Sequence, residues 1–498
     1  MRRGVVFSLL AAAMLAGCAQ PPPPPPSTMA QYEQLQRTNP QAYSQYVVIN
    51  HNLQRVLDPE VKPAQRVDSL QVVTALAGDD VEIRKKLAAL MSDPKTPQEV
   101  QAAILTFLLR KDYPDMAAYV VQAMPNLTRF PSLHDAVLEW LTKHPTPAVL
   151  AEVVKLWAQE SSVSGPNEPR FRQIVERIAG KPWNDALLDG LNTPGFTATS
   201  AAVSVLARRS QPTALRQLLL GLTPRTEDMT AIQTFLVKFD YLPTTDVEYT
   251  AIAQIYRTQR DTIDDAARLA GTWRDDFGYH FNARDFHLLS RLARDPLRTG
   301  LRRAQLIAEL GQAFNARSHL HYKTPAGLPA IEDRFWLRAD ALSMADLWNL
   351  YLLSDLLSRP RTEMAVRILA EGDRKDTRHA WGGLVFYKAG QAEATQYWPD
   401  PQEPPDDLTY APGAKYRWGT GERDFYADQR DSLCRFICHF EKAENGDRAG
   451  PTAAELRDAR ENNYNGVIFT SIDANQFCAH YYNPDGTVIS LGVFPLRK

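Results

Sequence analysis

The chain has 498 residues, which is long enough for two or more domains. It is 44% apolar and 23% charged, a composition typical of globular proteins. Its 58 acidic and 56 basic residues nearly cancel, and no long run of one charge appears. Nothing in this balance points to a nucleic-acid partner.

The N-terminus has the features of a bacterial secretion signal. Arg2 and Arg3 precede a short apolar run, which ends in Leu15-Ala16-Gly17-Cys18. This arrangement resembles the bacterial lipobox, which implies that residues 1–17 are a signal peptide and that Cys18 carries lipid. A transmembrane helix is the alternative, but a span needs about 20 apolar residues and this run is shorter.

A proline-rich stretch follows the cysteine directly. Pro21 to Pro26 form an unbroken run, and such a run adopts a stiff extended helix of about 3.1 Å per residue. Residues 18–30 are therefore predicted to be a lipidated tether. In lipoproteins of this kind, Ala19 rather than Asp after the cysteine implies an outer-membrane address. We expect a protein of the cell envelope, lipid-anchored to the outer membrane and facing the periplasm.

Residues 31–371 read as a helical array. Apolar residues recur at helical spacing, and several segments open with Pro beside Ser, Thr or Asp, the chemistry of a helix start. Helix starts recur roughly every 15 to 18 residues, which suits an α-solenoid of the HEAT type. The clearest segments are TPQEVQAAILTFLLRK (96–111), YPDMAAYVVQAM (113–124), PSLHDAVLEWLTKH (131–144) and TPAVLAEVVKLWAQ (146–159).

Such arrays expose curved surfaces that bind partners, so partner binding is expected of this one. A plain helical domain without a ligand is the alternative.

The composition changes near residue 372, and residues 372–498 read as a compact α/β domain. Short β-branched and aromatic runs alternate with turn residues there, and one helix follows Pro451-Thr452. The predicted strands are 382–388, 393–398, 433–440, 466–472, 476–482 and 487–494, and the predicted helix is 452–463.

Three cysteines lie in this last part of the chain. If Cys434 and Cys438 share a strand, they are too far apart to pair with each other. Either of them could pair with Cys478 on a neighbouring strand, or the three thiols could bind zinc. The sequence leaves these alternatives open.

Three short motifs of residues 372–498 occur in a familiar order. Gly382-Gly383-Leu384 lies on one predicted strand, His439 and Glu441 end another, and Pro451-Thr452-Ala453-Ala454-Glu455 opens the helix. This order resembles the JAMM (JAB/MPN) metallopeptidase fold. In that family a Glu precedes Gly-Gly-Leu, the later strand ends in His-x-His, and Pro-Ser-x-x-Asp opens the helix.

In the family, the two His and the Asp hold zinc, the Glu takes a proton from zinc-bound water, and the Ser steadies the oxyanion. The resemblance therefore implies that His439, Glu441 and Glu455 are metal ligands and that Thr452 has the catalytic role of the Ser. No cofactor is expected unless this site is intact, in which case it would bind zinc.

The chain departs from the family pattern at the general base. Ala380 stands where the Glu belongs, and either Glu422 or Glu444 would have to replace it. Loss of a general base typically costs about 10²–10⁴ in rate. We therefore favour a degenerate, non-catalytic site over an active enzyme.

The same residues also have an interpretation without metal. Thr452 and Glu455 form the Thr-x-x-Glu pattern of a helix capping box. His439 and Glu441 are alternate residues at a strand end, where they could pair with Arg448 or Arg457.

Two main hypotheses follow. The first is an envelope-anchored scaffold that binds protein partners through its helical array and a non-catalytic JAMM-like domain. The second is a metal-dependent peptidase or isopeptidase of the periplasm. A protective, immunity-type lipoprotein is a narrower alternative. A Glu455 side chain turned back onto the backbone N–H of Thr452 would favour the scaffold.

Overall fold

The computed structural model describes residues 26–39, 44–93, 95–111, 120, 134–143, 146–159, 168–295, 300–375, 381–388, 390–397 and 432–496. The described residues are mainly helical and end in a mixed sheet of six strands. This confirms the fold class in its coarser form, a helical array followed by an α/β part. Residues 1–25, with Cys18, lie outside the described residues, as do Ala380 and Glu422.

The described helices are α1 Met29–Thr38, α2 Gln45–Leu57, α3 Pro63–Ala77, α4 Val81–Ser92, α5 Gln98–Lys111, α6 His134–Lys143, α7 Pro147–Gln159, α8 Glu168–Ala179, α9 Trp183–Leu191, α10 Thr199–Arg209, α11 Pro212–Gly221, α12 Glu227–Phe239, α13 Asp246–Thr258, α14 Ile263–Phe277, α15 Phe286–Leu292, α16 Arg303–Asn315, α17 Phe335–Arg338, α18 Met344–Leu357, α19 Pro360–Lys375 and α20 Ala453–Asn462. The strands are β1 Trp381–Lys388, β2 Gln391–Tyr397, β3 Cys434–His439, β4 Gly466–Ser471, β5 Gln476–Tyr482 and β6 Val488–Pro495.

The chain forms two compact units. The first comprises Met1–Gly190 with Gly195–Ala198, and the second comprises Leu191–Pro194 with Thr199–Lys498. The second unit therefore contains both the later helices and the whole sheet. The domain boundaries predicted from the sequence stay predictions.

Helices of the first unit pack on near neighbours in the chain. α2 packs on α3, α3 and α4 pack on α5, and α7 packs on α8. Side chains cap several of these helices: Thr28, Ser44 and Asp80 each accept a backbone N–H of the first turn. The predicted helix 113–124 lies almost entirely outside the described residues, whereas the 131–144 segment contains α6.

Two helices connect the array to the sheet in the second unit. α18 is buried along most of its length and contacts β2 and β6. α19 follows it directly and contacts β1 and β3. Within the described part of the chain, no helix is long and apolar enough to cross a membrane.

The six strands lie in the order β2-β1-β3-β4-β5-β6. β3 and β4 are parallel, α20 connects them, and every other neighbouring pair is antiparallel. All residues of β3 and β4 are buried, because parallel strands in the middle of a sheet are covered on both faces. Cys434, Cys438 and Cys478 are buried free thiols.

The core beside α20 includes a residue from far outside the strands. Tyr322 packs in one cluster with Leu384, Ile437 and Leu456, and its hydroxyl donates to the Pro451 carbonyl at 2.7 Å. The segment that carries it, residues 316–334, also bonds to β6: the Val493 N–H donates to the Ser318 carbonyl at 2.8 Å. This segment, which we call the strap, is thus part of the sheet core.

Candidate functional site

The candidate site lies where β3 ends and α20 begins. His439 is the last residue of β3, and its backbone is paired with Thr470 of the parallel strand β4. Thr452 has extended backbone angles and is the N-cap of α20. The parallel register and the returning helix bring the strand end at His439 close to the helix start at Thr452 and Glu455.

His439 and Glu455 form a buried pair. The distance from His439 Nε2 to Glu455 Oε1 is 3.0 Å, and the two side chains are 2% and 0% exposed. Burial disfavours the charged imidazolium, but the negative charge of Glu455 and its hydrogen bond outweigh burial and raise the pKa of His439 to about 9. We therefore describe this contact as an ion pair between an imidazolium and a carboxylate.

Glu455 also closes a capping box with Thr452. Its Oε2 accepts the Thr452 N–H at 2.7 Å, and the Thr452 hydroxyl accepts the Glu455 N–H at 3.2 Å. Both backbone donors would otherwise be left unpaired at the helix start. Each carboxylate oxygen of Glu455 therefore has a protein partner, one on His439 and one on Thr452.

Glu441 points toward different partners. Its Oε1 accepts from Asn445 Nδ2 at 3.0 Å and from Arg448 at 3.2 Å. The sequence predicts Arg448 or Arg457 as a pairing partner at this strand end, and the structure shows the pairing of Glu441 with Arg448. Asn445 also donates to the His439 carbonyl at 3.3 Å, and through it the loop after β3 is held against the strand end.

Two residues of α19 complete the surroundings of the strand end. Asp373 is 3% exposed, and its carboxylate accepts the Phe440 N–H at 2.6 Å. Arg374 donates to the Ser471 hydroxyl at 3.1 Å, beside the end of β4. Sequence reasoning missed both residues, since no motif marks them and Asp373 lies 67 positions before Phe440.

The contacts of these side chains do not fit a three-ligand metal centre. A zinc ion would need atoms of His439, Glu441 and Glu455 at about 2.0–2.2 Å around one point. Glu455 instead bonds His439 and Thr452 directly, and Glu441 is bound to the loop. Over the described ranges, no group of three or more His, Cys, Asp and Glu residues is arranged to hold an ion. Metal ligation by these residues stays a prediction, and we derive no chemistry from it.

The fold and this site define a mainly helical protein that ends in a mixed sheet, with a buried ion pair and a capped helix where the motifs converge. No family model, no curated protein and no solved structure matches the chain.

Proposed function

We propose that this chain is a scaffold of the bacterial cell envelope, anchored by lipid on Cys18, that binds protein partners through its helical array. In this proposal the array is HEAT-like, and the C-terminal part is a JAMM-like domain without catalytic activity. The carrying observation is the double engagement of Glu455, which pairs with His439 and caps α20 at Thr452.

Two further contacts support the non-catalytic assignment. Glu441 is bound by Asn445 and Arg448, so the second expected ligand is held in the loop. Tyr322 fills the core beside Pro451, which ties the helix start to the strap. The side chains that a hydrolase would direct at a substrate thus stabilise the fold.

The proposed likeness to the JAMM fold rests on the order of the motifs and on the position of the strands that carry them. β1 carries Gly382-Gly383-Leu384 and is the antiparallel neighbour of β3, with Trp381 opposite Cys438. This adjacency is the arrangement that the proposed likeness implies for β1 and β3.

Metal content tests the non-catalytic assignment. The full-length chain, purified in detergent, is exposed to zinc, dialysed and measured by elemental analysis beside His439→Ala. His280→Ala is the matched control, because His280 is exposed and lies outside the three motifs in the sequence. We expect no near-stoichiometric zinc in any of the three. Zinc near one per chain that is lost only in His439→Ala would contradict the proposal and favour the peptidase.

Crosslinking in the source cells tests the scaffold function. A photoreactive residue replaces Tyr46 on α2 or Val237 on α12, whose side chains are 74% and 70% exposed. Gln476, at the exposed start of β5, is the control position. We expect discrete protein adducts from at least one array position and none from Gln476. Equal adducts at all three positions, or none at any of them, would count against partner binding by the array.

A further inference from the structure

Buried polar side chains form a cluster where three parts of the second unit meet. Tyr279, Arg284 and Asp285 lie between α14 and α15, Asp346 lies in the first turn of α18, and Tyr481 lies on β5. Residues Tyr279, Asp285, Asp346 and Tyr481 are 4%, 4%, 6% and 0% exposed. The Arg284 side chain is 9% exposed. We call these five residues the junction cluster.

Neutral groups hold both carboxyl groups of the junction cluster in place. The Tyr279 hydroxyl donates to Asp285 Oδ2 at 2.8 Å. The Tyr481 hydroxyl donates to Asp346 Oδ1 at 2.7 Å, and Asn483 Nδ2 donates to the same oxygen at 3.1 Å. Hydroxyl and amide donors satisfy a carboxyl oxygen without bringing a positive charge. The charge balance of the cluster therefore depends on Arg284.

Arg284 joins the α14–α15 segment to the sheet and faces several carboxyl groups. It donates to Asn463 after α20 at 3.2 Å and to Asp485 after β5 at 2.7 Å. Its Nε lies 3.8 Å from Asp285 Oδ1, and the negative charge of Asp346 also acts on it. Asp485 is 66% exposed, so water solvates its charge, whereas Asp285 and Asp346 are buried. When two buried carboxyl groups share one counter-charge, one of them retains a proton.

Asp285 is the carboxyl group that retains the proton. Burial, and after it the negative charges of Asp346 and Asp485, raise the pKa of Asp285 to about 6. The positive charge of Arg284 and the hydrogen bond from Tyr279 act in the opposite direction. Asp285 also lines a cavity of about 490 Å³, which gives a path for proton exchange with solvent. The other titratable side chains that line this cavity are Tyr279, His280, Arg284, Arg303, Asp340 and Asp485.

We propose that the junction cluster is a proton-operated clasp that fastens residues 279–285 to the sheet through Arg284. With a proton on Asp285, the Arg284 guanidinium balances the Asp346 carboxylate and the clasp is closed. When that proton leaves to solvent through the cavity, two buried carboxylates face one guanidinium, and the segment opens more readily. The ligand of this site is therefore the proton, and the site links pH to the docking of residues 279–285.

A neighbouring histidine titrates in the opposite sense. Burial lowers the pKa of His287 to about 3, so its protonation at acidic pH opposes the closed state. The test therefore compares chains that all retain His287 and differ at one carboxyl group. Its readout is the ratio of amide protection in the native chain to amide protection in a variant, in which the contribution of His287 cancels.

Hydrogen–deuterium exchange of the full-length chain in detergent tests the clasp. The variant is Asp285→Asn, in which the side chain keeps its size and an oxygen for the Tyr279 hydroxyl but cannot titrate. We expect the native-to-variant ratio of protection for residues 279–287 to fall about tenfold from pH 5 to pH 7, since the pKa of Asp285 is 3.8 in the open segment and about 6 in the closed one. A constant ratio would overturn the proposal.

Two controls assign the effect to the junction cluster. Asp340→Asn changes an exposed carboxyl group on the same cavity, and for this variant we expect a constant ratio. Helix α3 of the first unit is the internal reference, and its ratio is expected to stay constant in Asp285→Asn. An equal fall with Asp340→Asn, or in α3, would contradict the assignment to Asp285.

Asp346→Asn tests the shared counter-charge and does not depend on the folding of Asp285→Asn. The amide keeps an oxygen for the Tyr481 hydroxyl but removes the negative charge that acts on Asp285. The pKa of Asp285 then falls, so less of its proton remains to be lost between pH 5 and pH 7. We expect the ratio of native protection to Asp346→Asn protection to fall severalfold over this range, and a constant ratio would overturn the sharing of Arg284. None of these outcomes bears on the proposed scaffold function, since the junction cluster shares no residue with the His439 site.

Discussion

At the scale of single residues, the His439–Glu455 pair is the central contact of the candidate site. Both side chains are almost fully buried, and removing one partner leaves the other without its charge partner or its hydrogen bond. The same carboxylate caps α20 through the Thr452 N–H. The Glu455 side chain thus bonds both the end of β3 and the start of α20. We therefore expect substitutions of Glu455 to lower the free energy of unfolding.

The first prediction concerns Glu455→Gln. The amide keeps the size of the side chain and can still accept from Thr452, but it removes the negative charge opposite His439. We expect the free energy of unfolding to fall by about 1–3 kcal/mol, measured by urea denaturation. Glu461→Gln is the control on the same helix, since Glu461 is exposed, and it is expected to leave stability unchanged. Equal changes in the free energy of unfolding for the two substitutions would show that the His439–Glu455 pair does not stabilise the fold.

The second prediction concerns pH. The Glu455 carboxylate raises the pKa of His439 from 6.5 to about 9 against the opposing effect of burial. Because the folded pKa is the higher one, the stabilisation is complete below pH 6.5 and is lost as pH rises through about 9. We expect stability to fall across this window in the native chain and to fall less in His439→Gln.

Burial raises the pKa of the three thiols Cys434, Cys438 and Cys478, which titrate near 9.0 in the unfolded chain. These thiols therefore lower stability at the upper end of the window, and they do so equally in the native chain and in His439→Gln. Burial lowers the pKa of His287 to about 3, so its stabilisation is lost only as pH falls below 6.5. Burial also raises the pKa of Asp285 to about 6. The stabilisation from its protonated form is therefore lost as pH rises from 3.8 to about 6, below the window. Parallel stability profiles of the native chain and His439→Gln between pH 6.5 and 9 would contradict the ion pair.

At the scale of elements, the sequence patterns predict the C-terminal part well. The predicted strands 466–472 and 476–482 correspond to β4 Gly466–Ser471 and β5 Gln476–Tyr482, and the predicted helix 452–463 contains α20. Short apolar runs bounded by turns and a Pro-Thr helix start carry strong local signals. The pairing of the strands is not local, and only the structure shows that β3 and β4 are parallel.

The third prediction concerns the glycines of β1. A Cβ at Gly383 would lie 2.0 Å from the Thr395 carbonyl oxygen of β2 and 2.7 Å from the Phe436 ring of β3. Gly383 is thus required by the close approach of its neighbours on β2 and β3. We expect Gly383→Ala to lower the free energy of unfolding by about 1–3 kcal/mol, measured by urea denaturation.

Gly311→Ala is the matched control for this third prediction. Gly311 lies inside α16, where an added Cβ meets nothing within 4 Å. Alanine is the better helix former, so we expect a gain of about 0.5–1 kcal/mol. Effects of the same sign at both positions would show that packing at Gly383 is not the cause.

At the scale of the whole molecule, the largest gap between sequence and structure is the strap. Its residues read as part of the helical array, because the composition changes only near residue 372. Yet Tyr322 packs in the sheet core and bonds Pro451, which lies 129 positions later. No local sequence pattern predicts such a contact. The same holds for the hydrogen bond from the Phe440 N–H to the Asp373 carboxylate. The sequence therefore predicts the composition of each part but not how distant segments complete a shared core.

The fourth prediction follows from the strap and compares two C-terminal fragments. A fragment of residues 374–498 has every strand but lacks Tyr322, α18 and most of α19, so it would expose the faces of β1 and β6 that these elements cover. A fragment of residues 300–498 retains them. We expect the longer fragment to unfold cooperatively on heating, followed by circular dichroism, and the shorter fragment to show no cooperative transition.

Tyr322 itself supplies the control for the fragment comparison. Within residues 300–498, Tyr322→Ala removes the buried ring and its hydrogen bond to Pro451, whereas Trp336→Ala removes a side chain that is 50% exposed in the short helix α17. We expect Tyr322→Ala to cost about 3–5 kcal/mol, as for other buried aromatic residues, and Trp336→Ala to cost far less. A cooperative transition in the shorter fragment would show that the strap is dispensable and that the boundary near residue 372 is also the physical one.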